Sequence, residues 1–396
     1  MLLTTPFHAR TAPLCASHAW RRWAGYVVAS SYELSHDREY HAIRSAAALL
    51  DISPLYKYQL TGADAARLLD RVITRDAARA EIGQVLYTPW CNAAGKVLDD
   101  GTVARLDEQS FRMTSAEPTL RWLEANARGL AVALEDVSES LAALALQGPA
   151  SRAILQRICD TDLAQLKFFR LTAARLGGIP VTVSRTGYTG DLGYEIWVAA
   201  EHGVALWDAL IGAGEPYGIT PAGMLALDVA RIEAGLMLID VDYVPARKAL
   251  VAGQTSSPFE LDLKWAVNLD KDNFVGLRAL SREAQQSPQW QFVGLEVAWD
   301  ALERLYGEVG LAPQLPSVAW RSSTPAYAGG RQVGYATSGC WSPLLKQYIA
   351  LAHLESAWAA PGTAIELEVT VEHRRKRAAA RVVRKPFFNP ERKRAA

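Results

Sequence analysis

Hydrophobic and polar residues alternate in short blocks along the first part of the chain, and each block predicts one element. Apolar residues at helical spacing predict a helix from Asp37 to Leu50. The alternating segment Tyr56–Leu60 predicts a strand. It leads through a polar turn into a helix from Ala65 to Val72, with an N-cap near Thr61 or Gly62. The predicted strand, turn and helix together form a strand–turn–helix unit.

A longer series of short apolar segments follows, separated by residues that favour turns. The predicted strands are Gln84–Pro89, Gly101–Leu106, Ser110–Thr114, Leu141–Gln147, Phe168–Leu176 and Pro180–Thr186. The predicted helices are Thr119–Arg128, a helix that Pro149 opens at its first position, and two amphipathic helices between Ala200 and Gly235. This mixture predicts an α+β architecture.

After about Ala284 the pattern changes to short strands between glycine and proline turns. Examples are Phe292–Val297, Gln332–Ala336 and Ile365–Val371. Such spacing is typical of a small antiparallel barrel or sandwich. We therefore predict an α+β multidomain protein with a larger region at residues 1–284 and a C-terminal antiparallel β-barrel at residues 285–390.

Composition narrows the possible partners and cofactors. Lys plus Arg equals Asp plus Glu at 42 each, so net charge favours neither a nucleic acid nor an anionic membrane as partner. The basic run Arg374–Arg377 and the cluster Arg392–Arg394 are interpreted as solvated or as local contacts to acidic groups. The four cysteines are scattered without metal-ligand spacing, which predicts no metal site and a cytoplasmic location with reduced thiols. No segment approaches the roughly 20 apolar residues of a membrane span.

Two loops rich in glycine, polar and aromatic residues could carry chemistry. The first, Tyr87–Asp100, ends in adjacent carboxylates, Asp99 and Asp100. Neighbouring strand residues point to opposite faces, so at most one of them faces a given pocket; both could instead be turn formers. The second, Arg185–Trp197, has glycines that let backbone approach a flat ligand, and Glu195 projects beside it; a solvent-facing hairpin glutamate is the alternative.

A third stretch, Ala230–Leu236, places charged residues among apolar neighbours near a helix end. Arg231 there needs a carboxylate or a ring carbonyl as partner, and a structural ion pair is the alternative to a ligand contact. The three stretches occur together and in this order, which favours a common site.

With its flanking motifs, the chain resembles the glycine-cleavage T-protein family of folate-dependent aminomethyltransferases. The resemblance covers most of the chain and is carried by a set of short motifs: Leu60-Thr-Gly-Ala-Asp, Gly83-Gln-Val-Leu-Tyr-Thr-Pro, Leu146-Gln-Gly-Pro, Gly187-Tyr-Thr-Gly with Gly193-Tyr-Glu-Ile, Arg231-Ile-Glu-Ala-Gly-Leu, Gly334-Tyr-Ala-Thr-Ser-Gly and Val383-Arg-Lys-Pro-Phe-Phe. It implies a T-protein-like folate-binding fold, with tetrahydrofolate as cofactor and one-carbon transfer as activity.

The resemblance also implies roles for single residues. Asp100 corresponds to the family's catalytic carboxylate near folate N5, and Glu195 to the acid that binds the pterin. Arg231 corresponds to a polar ligand contact, while Tyr87 and Tyr188 match positions that line the pocket. The implied partner is a small-molecule amine or methylated donor, or a lipoyl carrier protein that delivers an aminomethyl group.

Departures from the family pattern leave the donor open. The chain has Asp99-Asp100-Gly101 where the family usually has Asp-Asp-Leu, and the segment Arg112–Pro118 lacks the expected Val-Asn-Ala. The segment after Leu236 also differs and leads into an apparent insertion, Ala249–Pro258. The alternatives to the aminomethyltransferase are a folate-dependent demethylase for an N-, O- or S-methylated compound, and a non-catalytic folate-binding protein of iron–sulfur assembly. The loop Thr186–Gly190 lacks the cysteine expected of the last.

Overall fold

The structure is a computed structural model, and it describes residues 2–395. The helices of these residues are α1 (His8–Leu14), α2 (Asp37–Ser45), α3 (Ala65–Val72), α4 (Leu120–Asn126), α5 (Ser151–Gln156), α6 (Gly203–Gly214), α7 (Met224–Glu233), α8 (Leu277–Glu283) and α9 (Trp299–Gly307).

The strands up to the C-terminal part are β1 (Leu3–Thr4), β2 (Trp20–Trp23), β3 (Tyr26–Ala29), β4 (Ala47–Asp51), β5 (Tyr56–Thr61), β6 (Val85–Cys91), β7 (Val97–Asp107), β8 (Ser110–Ser115), β9 (Ala133–Asp136), β10 (Leu141–Gln147), β11 (Leu171–Leu176), β12 (Ile179–Ser184), β13 (Gly193–Ala199) and β14 (Ile219–Pro221). The remaining strands are β15 (Trp290–Val297), β16 (Thr324–Ala328), β17 (Arg331–Ser342), β18 (Gln347–Glu355), β19 (Ala364–Val371) and β20 (Arg374–Val383).

Within residues 2–395 the strands form three open sheets and one barrel. A small sheet has the order β1-β3-β2, a six-stranded sheet β11-β12-β13-β10-β4-β14, and a five-stranded sheet β6-β7-β8-β5-β9. The last six strands close into an antiparallel barrel in the order β15-β18-β17-β16-β19-β20. The predicted mixture of helices and strands with a C-terminal antiparallel barrel is confirmed, whereas the predicted boundary between residues 284 and 285 stays a prediction.

The largest hydrophobic core joins the two main sheets to the barrel. It includes Val97 of the five-stranded sheet, Ala145 and Trp197 of the six-stranded sheet, and Leu351 of the barrel. Helix α7 supplies its buried residues to the same core and packs against α2 and β17. Because burial of apolar surface drives this packing, residues of both main sheets and of the barrel meet at one junction.

The helix predicted from Asp37 to Leu50 is wrong in its second half. Helix α2 ends at Ser45, and β4 takes over between β10 and β14 of the six-stranded sheet. An apolar run buried on both faces has the same hydrophobicity in a helix and in a central strand, so periodicity could not separate them.

The two predicted helix starts also differ from the structure. The residue before α3 is Asp64 rather than Thr61 or Gly62, and it makes no side-chain capping bond. Pro149 lies before α5, which begins at Ser151 after Ala150. The turn residues were correctly recognised as preceding helices, but their exact positions depend on local hydrogen bonding.

The basic run Arg374–Arg377 lies on β20, where most of its side chains are exposed and face acidic residues of neighbouring segments. Arg392 of the second cluster instead makes two hydrogen bonds, of 2.6 and 2.8 Å, to the carboxylate of the fully buried Asp191. None of the helices within residues 2–395 has the length and apolar character needed to cross a membrane.

Candidate active site

Asp100 lies on β7 with two phenolic hydroxyls aimed at its carboxylate. Tyr87 of β6 donates a hydrogen bond of 2.8 Å to Oδ2, and Tyr243, from the loop after α7, donates to Oδ1. Burial raises the pKa of Asp100, while the two hydrogen bonds partly oppose this effect because they stabilise the charged form. The result is a half-buried carboxylate held by donors from two separate parts of the chain.

Asp99 points to the other face of β7 and is occupied by backbone groups. Its carboxylate accepts the amide N–H of Asp100 at 2.8 Å and that of Glu117 at 3.0 Å. Full burial, together with the charge of Asp100, raises the pKa of Asp99 well above its usual range. Adjacent strand residues therefore separate as expected: Asp99 organises backbone and Asp100 faces the tyrosines.

Tyr243 was not predicted as a site residue, and its position depends on its neighbour Asp242. The Asp242 carboxylate accepts hydrogen bonds from Thr337 at 2.5 Å and Ser338 at 2.7 Å, both on barrel strand β17, and from Arg231. The Asp242 carbonyl oxygen lies 2.6 Å from Nε2 of His353 on β18. The barrel thus fixes the loop that brings Tyr243 to Asp100. Sequence analysis had identified this segment only as a departure from the family pattern.

Arg231 is almost fully buried and forms the structural ion pairs considered as the alternative interpretation. Its guanidinium donates to Asp228 at 3.1 Å and to Asp242. Burial lowers its pKa, but the nearby carboxylates dominate and raise it overall. Its Nη2 atom is buried and has no hydrogen-bond partner in the described part of the chain. Arg231 therefore fixes the loop that contains Asp242, and its Nη2 keeps an N–H donor that is available to a ligand.

Tyr188 packs against the same core as Tyr87 and Tyr243, and its hydroxyl donates to the carbonyl oxygen of Met237. Tyr87 also stacks on Trp265, with ring centroids 5.9 Å apart and an interplanar angle of 25°. Trp265 is 61% exposed, so one edge of this aromatic group reaches solvent. The structure brings Asp100, Tyr87 and Tyr188 together beside aromatic surface that could accept a flat ring.

Glu195 does not face bulk solvent, which was the alternative interpretation of its hairpin. It lies half-buried on β13, and Thr186 donates a hydrogen bond of 2.7 Å to its carboxylate. Burial raises the pKa of Glu195; the Thr186 hydroxyl and the charge of Arg112 counteract part of this rise. Tyr194 and Ile196 point to the opposite face and into a separate core, as strand alternation predicts.

The glycines of the loop Gly187–Gly193 approach a side chain rather than open space. A Cβ atom on Gly187 would lie 2.0 Å from Oε1 of Gln147, and one on Gly193 would lie 2.2 Å from it. Gln147 in turn accepts a hydrogen bond of 2.8 Å from Thr189. The expectation that these glycines admit a flat ligand is therefore corrected for these two positions, because they close around Gln147.

At position 101, too, steric crowding explains why the residue is glycine. A Cβ atom at this position would lie 2.0 Å from the carbonyl oxygen of Thr114 on β8, so the two strands can approach here only without a side chain. The glycine after Asp100 thus belongs to the close pairing of β7 and β8.

Glu233, two residues after Arg231, belongs to a structural ion pair rather than to the site. Its buried carboxylate accepts from Arg44 at 2.6 Å, from Tyr40 at 2.5 Å and from Ser342 at 2.5 Å. It therefore ties α2, α7 and the end of β17 together.

Comparison with known proteins gives consistent matches over the chain. Residues 4–271 match the model described as the GCVT N-terminal domain, and residues 308–389 match the glycine cleavage T-protein C-terminal barrel domain. An aminomethyltransferase from Caldanaerobacter subterraneus subsp. tengcongensis is 34% identical over 371 residues, which is 92% of this chain and 91% of the relative. An aminomethyltransferase from Bacillus pumilus is 32% identical and covers 98% of this chain and 99% of its own length.

A solved structure agrees with these matches at the level of the whole fold. The crystal structure of the glycine cleavage system aminomethyltransferase T from Bartonella henselae superposes with a TM-score of 0.81 at 26% sequence identity. The superposition covers 98% of this chain and 99% of that chain.

Proposed function

Since the chain belongs to the glycine cleavage T-protein family, as its motifs predicted, we propose that it is an aminomethyltransferase that passes a one-carbon unit to tetrahydrofolate. The observation that carries this proposal is the carboxylate of Asp100, held between the hydroxyls of Tyr87 and Tyr243 where both main sheets meet the barrel. The family consists of transferases, and a preorganised carboxylate suits a transfer in which positive charge develops.

The residues at the junction fit the chemistry of a reduced folate. A pterin presents N–H donors, ring acceptors and two flat faces. Glu195 offers a half-buried carboxylate to such donors. The buried Nη2 of Arg231 offers an N–H that no group within residues 2–395 accepts. The stacked rings of Tyr87 and Trp265 offer a flat apolar surface. The set of donors, acceptors and aromatic rings thus matches what the ligand displays.

Asp100 stabilises the positive charge that develops when a one-carbon unit is transferred. Tetrahydrofolate, when bound, supplies the ring nitrogen that takes up this unit. Because burial raises the pKa of Asp100, its ionised form also accepts a proton more readily than an exposed aspartate would. Tyr87 and Tyr243 hold the two carboxylate oxygens in place, so little reorganisation is needed when charge appears.

The other predicted site residues act by binding and orientation. Glu195 accepts hydrogen bonds from N–H groups of the pterin. Each such charged hydrogen bond contributes about 1.5–3 kcal/mol to the free energy of binding. Arg231 donates through its free Nη2, and Tyr87 and Tyr188 enclose the ring from the side of the hydrophobic core. Together they keep folate and donor in one place, which supplies much of the rate by proximity.

We test folate binding by calorimetric titration of the full chain with tetrahydrofolate. Glu195→Ala is expected to weaken binding by about tenfold or more, because a charged hydrogen bond is lost. Glu135→Ala, an exposed residue of β9, is the matched control and is expected to bind like the wild type. Absence of saturable binding to the wild type would overturn the proposed function.

The donor is proposed to be an aminomethyl group on a lipoyl carrier protein, because the relatives named above are aminomethyltransferases. Turnover is measured with an aminomethyl-loaded lipoyl carrier and, in parallel, with free N-, O- and S-methylated compounds. Formation of methylenetetrahydrofolate only with the carrier supports the proposal. Methyltetrahydrofolate formed only from a free methylated compound would instead establish a demethylase.

A further inference from the structure

Arg112 is a buried charge for which the structure provides no direct partner. It is 5% exposed, and within residues 2–395 its side chain takes part in no hydrogen bond or ion pair. Its guanidinium lies 4.5 Å from the centre of the Trp197 ring. Its nitrogen atoms are not sealed off completely, so they stay open to an acceptor that enters from outside the chain. A guanidinium in so enclosed a position gains from such an acceptor.

The strand register places Arg112 on the same sheet face as the catalytic carboxylate. Arg112 pairs with Ala104 and Thr114 pairs with Thr102, and the hydroxyls of this threonine pair lie 2.6 Å apart. Directly opposed residues share a face and alternate residues along a strand share it too, so Asp100 belongs to the same face.

The opposite wall is formed by strand β13 of the other sheet. Glu195 and Trp197 project together from β13 towards Arg112, while their neighbours Tyr194 and Ile196 point into a separate core. Burial lowers the pKa of Arg112 to about 10, and the charge of Glu195 opposes part of this shift. An acceptor and a donor of opposite charge thus face the same space between the two sheets without forming a direct ion pair.

We propose that Arg112 is a further ligand-binding residue of this site. It donates a hydrogen bond to an acceptor atom on the edge of the pterin ring, and Glu195 accepts hydrogen bonds from the N–H groups on the same edge. The edge of a pterin carries acceptors, a ring nitrogen and a carbonyl oxygen, directly beside its N–H donors. The guanidinium of Arg112 and the carboxylate of Glu195, which do not pair with each other, are complementary to that order of donors and acceptors. This assignment rests on the proposed folate function.

The distance from Asp100 agrees with this placement. Asp100 and Ala104, the partner of Arg112, are four residues apart on β7, which corresponds to about 13 Å of extended strand. A flat two-ring ligand with a hydrogen bond at each end fits such a span.

The test compares two ligands on the wild type and three variants. Tetrahydrofolate and 6-methyltetrahydropterin, which has the ring system but no glutamyl tail, are titrated calorimetrically into the wild type, Arg112→Met and the exposed control Arg121→Met. Arg112→Met is expected to weaken both ligands by the same factor, about tenfold to a hundredfold. Arg112→Lys, which keeps the charge but lacks the planar fork, is expected to recover part of the loss.

The outcomes separate the competing roles of Arg112. Weakening of tetrahydrofolate alone would assign Arg112 to the tail carboxylates and overturn the proposal. Unchanged binding of both ligands, with a raised KM for the one-carbon donor, would overturn it in favour of a donor contact. A wild type that binds neither ligand would overturn the folate function itself. Thermal melting of each variant identifies a folding defect, and Arg112→Lys then carries the comparison.

Discussion

Replacement of Asp100 by asparagine tests the centre of the proposed mechanism. Asparagine keeps the size and one acceptor oxygen, so Tyr87 retains a partner and Tyr243 can accept from the amide instead. The negative charge is removed. The variant is therefore expected to fold normally and to bind tetrahydrofolate with little change, while the charge that develops during transfer loses its counter-ion.

The size of the effect follows from the loss of one preorganised electrostatic contact. Such contacts contribute about 2.7–4 kcal/mol to transition-state stabilisation, which corresponds to a decrease in kcat of about 100- to 1,000-fold. The assay follows single turnovers from an aminomethyl-loaded lipoyl carrier to folate, with tetrahydrofolate affinity measured separately by calorimetry. Asp107→Asn, at the exposed end of the same strand, is the matched control.

Two results would refute this reasoning. Wild-type turnover of Asp100→Asn would remove the carboxylate from the mechanism. A loss of folate affinity as large as the loss of turnover would show that Asp100 acts in ground-state binding rather than in the chemical step.

Three further predictions concern the site and its supports. Because burial raises the pKa of Asp100, kcat/KM should fall on acidification at a higher pH than the ordinary aspartate value of about 3.9; a profile that is flat down to that value contradicts this. Glu233→Ala removes the carboxylate that Arg44 contacts at 2.6 Å and leaves this buried arginine only the more distant Asp191, 3.6 Å away. The variant should lower the free energy of unfolding in urea by about 3 kcal/mol; a loss below about 1 kcal/mol contradicts a stabilising buried pair. Gly101→Ala places a methyl group against the carbonyl oxygen of Thr114 and should lower the free energy of unfolding by about 1–3 kcal/mol in the same assay. Gly253→Ala, with open space around the new methyl group, is the control and should not lower it; equal effects of the two variants contradict the steric explanation.

Local patterns were sufficient where a segment has one strong period. Helix α3 and strand β10 have the predicted bounds, since their apolar residues repeat on one face or form a short buried run between turns. The segment Ala47–Asp51 was wrongly predicted as part of a helix, because a central strand and a buried helix are equally apolar. Alternation along a strand also predicted that Asp99 and Asp100 separate.

Motifs and local patterns were therefore sufficient for the family, for the α+β class with its C-terminal barrel and for a short set of candidate side chains. Which of those side chains come together depends on the packing of the whole chain. Tyr243 reaches Asp100 because barrel hydroxyls hold Asp242, and Arg112 faces Glu195 because two sheets pack together. These contacts join positions far apart in the chain, and they arise from packing and burial, which no local periodicity encodes.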